Sequence, residues 1–206
     1  MSLPLPDSPR EYVHTRALRV DVFSREDGLW DLEAHLQDIK GYDFPKQNGS
    51  MHPAGKPVHD MRLRVTIDEG FTIKAAVAAY EAAPYNQTCF AIAPSYEGLV
   101  GMNLLRGFRH AVKEKFGRTA GCTHLTELSY LLPTVAIQSR AGQRRKSLEE
   151  TVIDSPDPAS KPFQLEGCHA LRLDGEAVKE FYPKWYTGAA APDAQDEDAG
   201  SLKSSS

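Results

Sequence analysis

The stretch Met61-Arg62-Leu63-Arg64-Val65-Thr66-Ile67 alternates apolar and polar side chains without interruption. Successive side chains on a strand point to opposite faces, so this run is a β-strand with one face for a core and one for water, as antiparallel sheets have. Asp68-Glu69-Gly70 turns the chain, and a second strand from Phe71 to about Tyr80 completes a hairpin. An earlier stretch repeats the form. Tyr12 to Phe23 alternates with one irregularity near Ala17 and Leu18, and Glu26-Asp27-Gly28 supplies the positive φ of a tight turn. Leu29 to Ile39 then places Trp30, Leu32, Ala34 and Leu36 on one face and Asp31, Glu33, His35 and Gln37 on the other. Strict alternation leaves no stripe at a period of 3.6, which argues against a helix there. Trp30, Leu32, Leu63, Val65 and Ile67 are the expected core of this sheet.

Two hairpins need a covering layer. Tyr42 to Pro57, rich in Gly, Pro, Asn and Lys, reads as the loop that joins the hairpins. After Pro84-Tyr85, a small-residue segment opens at Cys89. Leu104, Leu105, Phe108, Val112 and Phe116 then follow at helical spacing, with Gly117 placed to end the helix. Thr123 is a good N-cap for a second helix carrying Leu125, Leu128, Leu132 and Val135, which Pro133 is expected to kink or break. The fold class is therefore α+β: a single domain over residues 11–186, in which an antiparallel β-sheet of two hairpins (residues 11–80) packs against two or three helices (residues 90–138). Residues 1–10 read as an extended arm and 140–160 as a charged surface excursion. Residues 163–171 read as a short strand or turn, and 176–185 as a short helix interrupted at Pro183. Ala, Gly, Asp and Ser in residues 188–206 cannot repay the entropy of ordering, so a disordered tail is expected there.

With 206 residues and a formal charge of -4, the chain has no basic field beyond Arg140, Arg144, Arg145 and Lys146. Nucleic-acid binding draws its affinity from neutralised phosphates and is not expected. No stretch approaches the ~18 apolar residues of a membrane span, and the start has neither a basic nor an apolar leader region, so a cytoplasmic location is expected. The three cysteines are odd in number and scattered, which is not a disulfide framework. In a reducing compartment such thiols stay free for metal or chemistry.

Cys122 in Gly121-Cys122-Thr123-His124 sits where unpaired N–H groups and the helix dipole favour a thiolate over a thiol. Cys168-His169 is a second Cys/His pair, and Cys89 is the remaining thiol. Three readings follow. One is a metal- or sulfur-handling protein using Cys89, Cys122 and Cys168, with His124 or His169 completing the shell; thiolate with imidazole suits zinc or iron, so zinc or an iron-sulfur cluster is the implied cofactor. Another is a small metabolic enzyme acting on a carbonyl or carboxylate substrate. There Cys122 is the nucleophile, or His124 and His35 serve as acid and base, with Glu33 orienting His35. The third is a non-catalytic accessory or binding protein. The face bearing His35 and Glu33 more often reads as simply solvated, and Trp30, Tyr85 and Tyr96 more commonly as core than as a pocket lining. The expected partner is a metal ion or a small molecule.

Glu26-Asp27-Gly28-Leu29-Trp30-Asp31, Gly121-Cys122-Thr123-His124-Leu125 and Gly167-Cys168-His169-Ala170-Leu171 together resemble an uncharacterised bacterial family, a domain of unknown function, over residues 11–186. That resemblance brings no activity with it. The order of paired strands, Cys89, helix and Cys122 is also similar to the NifU-like iron-sulfur scaffold fold. That family carries a cysteine before the first of these strands, where this chain has Val58-His59-Asp60, so Cys168 would have to serve instead. This likeness concerns fold alone.

Overall fold

The computed structural model describes residues 2–150, 161–162 and 164–188. Two units divide the chain, Met1–Glu149 and Glu150–Ser206. The first contains β1 (His14–Ser24), β2 (Trp30–Lys40), β3 (Phe44–Pro45), β4 (Met51–His52), β5 (Pro57–Ile67) and β6 (Ile73–Ala82). Four of these form one antiparallel sheet in the order β1-β2-β5-β6, and β3 pairs with β4 in a small sheet of its own. The fold is α+β, with the two hairpins joined through the pairing of β2 with β5. Gly28 takes φ 80° in the first hairpin turn, the conformation for which Asp27-Gly28 is suited.

The linking loop differs from the alternation-based expectation in its middle and at its far end. Residues 44–52 make the β3–β4 hairpin within it, and β5 starts at Pro57 rather than Met61. Pro57 lacks an N–H, which costs least at the first residue of a strand. The extension brings Val58, His59 and Asp60 into the sheet.

The covering layer consists of α1 (Asn86–Phe90), a 3-10 segment (Ala93–Leu99), α2 (Phe108–Phe116) and α3 (Thr123–Glu150). Leu32, Leu36, Leu63 and Val65 of the sheet share one core with Tyr96, Leu99, Val112, Leu125, Leu128 and Leu132, all at 0% exposure. Each such aliphatic side chain contributes about 1.5–3 kcal/mol by leaving water. Trp30 packs against this cluster. Leu104 and Leu105 precede α2 in an irregular segment that lies along the start of β6, where Ile73 N–H donates to Met102 O at 2.9 Å.

α3 departs from expectation at its start and at its end, and of the kink or break expected at Pro133 the break is absent. Its cap is Cys122, whose carbonyl accepts the Thr126 N–H at 2.9 Å, so Thr123 already lies in the first turn. The helix runs unbroken through Pro133. A proline inside a helix costs about 3 kcal/mol, less than Leu125, Leu128 and Leu132 together contribute by burial. It also continues past Arg140 to Glu150, where Arg, Gln, Lys, Leu and Glu are strong helix formers.

In the second unit, Gln164 to Glu166 turn, His169–Leu171 form a 3-10 turn, α4 spans Glu176–Phe181, and Pro183–Trp185 form another 3-10 turn after the break expected at Pro183. The tail expected from residue 188 lies, beyond Gly188 itself, outside the described residues. Among the described residues no helix is long and apolar enough to cross a membrane.

Candidate metal centre

Leu32, Ala34 and Leu36 fill the inner face of β2, and the next residue in that register is Asp38, only 4% exposed. On β5 the same face runs Ile67, Val65, Leu63, Met61 and then His59. Strand pairing sets Arg16 of β1, Asp38 and His59 side by side. One end of an aliphatic sheet face is thus a polar row, and the first two turns of α3 bring His124 and Glu127 to it.

Asp38 is the hub. Its Oδ1 accepts from Arg16 Nε at 2.8 Å and lies 3.2 Å from His14 Nε2; its Oδ2 accepts from Arg16 Nη2 at 2.8 Å, with His59 Nδ1 at 3.0 Å and His124 Nε2 at 3.6 Å. Arg16 also donates Nη1 to Glu127 at 2.7 Å, tying β1 to α3. Burial alone would raise the Asp38 pKa, but the Arg16 guanidinium and the two imidazoles hold it at about 2. The His59 pKa is lowered by burial and by the charge of His124, against the pull of Asp38; the two rings sit 4.1 Å apart. Desolvation thus favours a neutral imidazole, the form that ligates.

One ligand atom from each of Asp38, His59 and His124 lies within 4.8 Å of the other two. Ligands bonded to one ion at about 2.1 Å in tetrahedral geometry stand roughly 3.4 Å apart, so the set is close to closing on a metal. Two imidazoles and a carboxylate suit zinc or another first-row divalent ion. Charge agrees with this. Arg16 is one cation against the two carboxylates Asp38 and Glu127, which leaves one negative charge in excess among these three groups. Solvent reaches it on the β1 side, where the His14 side chain is 42% exposed.

Cys122 touches the opposite edge of His124, its Sγ 3.9 Å from Nδ1. Burial pushes this thiol up, but His124, the Tyr80 hydroxyl and the Leu125 and His124 backbone N–H groups outweigh it and bring the thiol down to about 7. The buried Tyr80 hydroxyl lies beside the thiol without a well-formed hydrogen bond; burial and the thiols of Cys122 and Cys89 raise its pKa. Tyr96 fixes the backbone here, its hydroxyl accepting the Cys122 N–H at 3.0 Å and lying 2.8 Å from the Cys122 carbonyl. At Gly121 a Cβ would come 2.5 Å from Phe116 O, so any side chain there would push the end of α2 away from Cys122.

The residues nominated from sequence are therefore spread over several places. His124 belongs to the metal-ligand group and Cys122 borders it, while Cys89 is half-buried in α1 near Tyr80. Cys168 and His169 stand exposed in the second unit, where Arg172 contacts the His169 ring at 3.0 Å. Among the described residues, no cysteine is part of the ligand group. His35 and Glu33 lie on the outer face of the sheet, away from His124; His35 Nε2 is 2.7 Å from Asp60 Oδ1, and Glu33 is 3.4 Å from Arg64. Trp30 and Tyr96 join the core, whereas Tyr85 is 59% exposed. Asp38, His14 and Arg16 are not among the residues nominated from sequence, and His59 is named there only as lying where the scaffold fold has a cysteine. The available signal was a charge two residues beyond Leu36 in the apolar register of β2.

The family model described as "Protein of unknown function (DUF2889)" matches residues 14–138, a span that holds His14, Asp38, His59, Cys122 and His124. Neither the curated proteins nor the solved structures returned a match.

Proposed function

We propose that this chain, which belongs to the DUF2889 family, is a metal-binding protein whose divalent ion is held by Asp38, His59 and His124. The observation that carries the reading is the convergence of three donor atoms, from β2, β5 and α3, around Asp38, itself buried where the register calls for an aliphatic side chain, with the two histidines half-buried. Arg16 supports the set by orienting the Asp38 carboxylate, as outer partners of metal ligands do. His14, beside the other carboxylate oxygen and exposed to solvent, stands where a further ligand or an incoming molecule can be met. Metal analysis of the chain purified without chelator, followed by zinc titration of the stripped protein, tests this. A single ion per chain is expected, lost in His59→Ala and His124→Ala and retained in Cys168→Ser. Absence of tight binding by the unaltered chain would overturn it.

A second reading rests on the contact of Cys122 Sγ with His124 Nδ1. In an enzyme acting on a carbonyl or carboxylate substrate, Cys122 would pass its proton to His124 and add to the carbonyl carbon as the C=O π pair moves to oxygen, the other ring nitrogen facing Asp38. Turnover by metal-free protein, abolished in Cys122→Ser, would favour this over the metal reading. His35 has no part in it, being on the other face.

A further inference from the structure

A cavity of about 530 Å³ lies between the β3–β4 hairpin and the chain that leaves β6 for α1. That volume is within the usual range for small-molecule sites. Its walls are aromatic: Phe44 and His52 on the hairpin, Tyr85 and Phe90 opposite. Tyr85 and Phe90 are 59% and 42% exposed, so large rings are left in water around one concavity instead of being scattered singly. The hairpin wall is held in shape. Phe44 packs against His52 with centroids 4.9 Å apart and the ring planes tilted by 32°, Lys40 Nζ lies 4.4 Å from the Phe44 centroid, and the Ala54 N–H donates to Asp43 Oδ1 at 2.6 Å.

The polar groups are divided across the cavity. Lys46, Gln47 and Asn48 occupy the hairpin side, and Glu81 stands on the β6 side. Among the described residues neither Lys46 nor Glu81 has an ion-pair partner in this chain. We infer that this cavity binds a flat aromatic acid, its ring between Phe44 and Tyr85 and its carboxylate toward Lys46. Lys46 supplies the cation and the side-chain amides of Gln47 and Asn48 supply donors. Glu81 excludes the reversed orientation and accepts from a hydroxyl or amino group at the far end of the ligand. The site is independent of the metal centre, since none of Asp38, His59 and His124 lines it.

The test is titration of the full chain with 1-naphthoate, with 1-naphthalenemethanol as the neutral comparison, by calorimetry and saturation-transfer NMR. Saturable binding of 1-naphthoate is expected. Tyr85→Ala should weaken both probes about tenfold through lost stacking. Lys46→Gln should weaken the acid about fivefold and leave the alcohol unchanged. Both positions are exposed, and unchanged circular dichroism and melting temperature confirm folding of each variant. Failure of 1-naphthoate to saturate, wild-type binding by Tyr85→Ala, or equal effects of Lys46→Gln on acid and alcohol would each overturn the assignment.

Discussion

β2 and β5 carry two cross-strand His–Asp pairs with the roles exchanged: Asp38 with His59 on the inner face, and His35 with Asp60 on the outer. Carboxylate burial does not separate them, since Asp38 is 4% and Asp60 8% exposed. The partners do. Asp60 is completed by Gln37 of the strand that already supplies His35, at 2.6 Å, and the outer pair ends there. Asp38 receives Arg16 from β1 and His124 from α3 as well. A His–Asp pair on a sheet is a structural contact until a second layer adds another donor, and α3 supplies one on the inner face.

The largest expected effect that tests this contrast is on stability. Asp38→Ala removes the counter-ion of Arg16 and the hydrogen-bond partner of His14 and His59, and should cost about 2–4 kcal/mol in urea unfolding; Asp60→Ala should cost less than half as much. Equal losses would mean that the covering layer adds nothing to the inner pair. Next, Leu63→Ala should destabilise by about 2–4 kcal/mol, because Leu63 is fully buried among sheet and helix side chains, whereas Arg62→Ala on the outer face should stay within about 0.5 kcal/mol. A comparable loss at Arg62 would show that the outer face is covered in solution.

Zinc affinity sharpens the same comparison. His124→Ala should weaken zinc binding about a hundredfold, while His35→Ala, which removes the outer imidazole, should change it less than twofold. A matching loss in His35→Ala would place the ion on the outer pair.

The sheet was legible because alternation is a local signal. Leu32, Leu36, Leu63, Val65 and Ile67 fall on the inner face as their spacing requires. Cys122 and His124 were legible too, since a helix start leaves a mark in the few residues around it. The centre itself was not. Asp38 and His59 are 21 residues apart and meet only through strand register, and β5 had to be extended back to Pro57 before His59 entered the sheet at all. Arg16 and Glu127, 111 residues apart, have no local pattern linking them. The scattered thiols drew attention because cysteine is rare and chemically distinctive, but rarity carries no information about convergence. Pro133 does not break α3: the loss of one hydrogen bond is a local cost, and the burial that offsets it is tertiary.

The smallest expected effect concerns acid. Asp38 is held at about 2 in the folded chain, below the ordinary 3.8, because the ionised carboxylate is what Arg16, His59 and His124 stabilise. A depressed folded-state value means that the unfolded chain takes up this proton first. The stabilisation is therefore fully present above about pH 4 and is lost as pH falls through 2, amounting to about 2 kcal/mol for a shift of this size. The Asp38 side chain is 5% exposed, so screening by solvent does not erase it. Chelator-treated protein, which leaves no ion to compete for the carboxylate, should lose its stability advantage over Asp38→Asn between pH 4.5 and pH 2 when both are unfolded by urea. If the two proteins run parallel over that interval, the Arg16 fork on Asp38 does not persist in solution, and the inner pair is no more strongly held than the outer one.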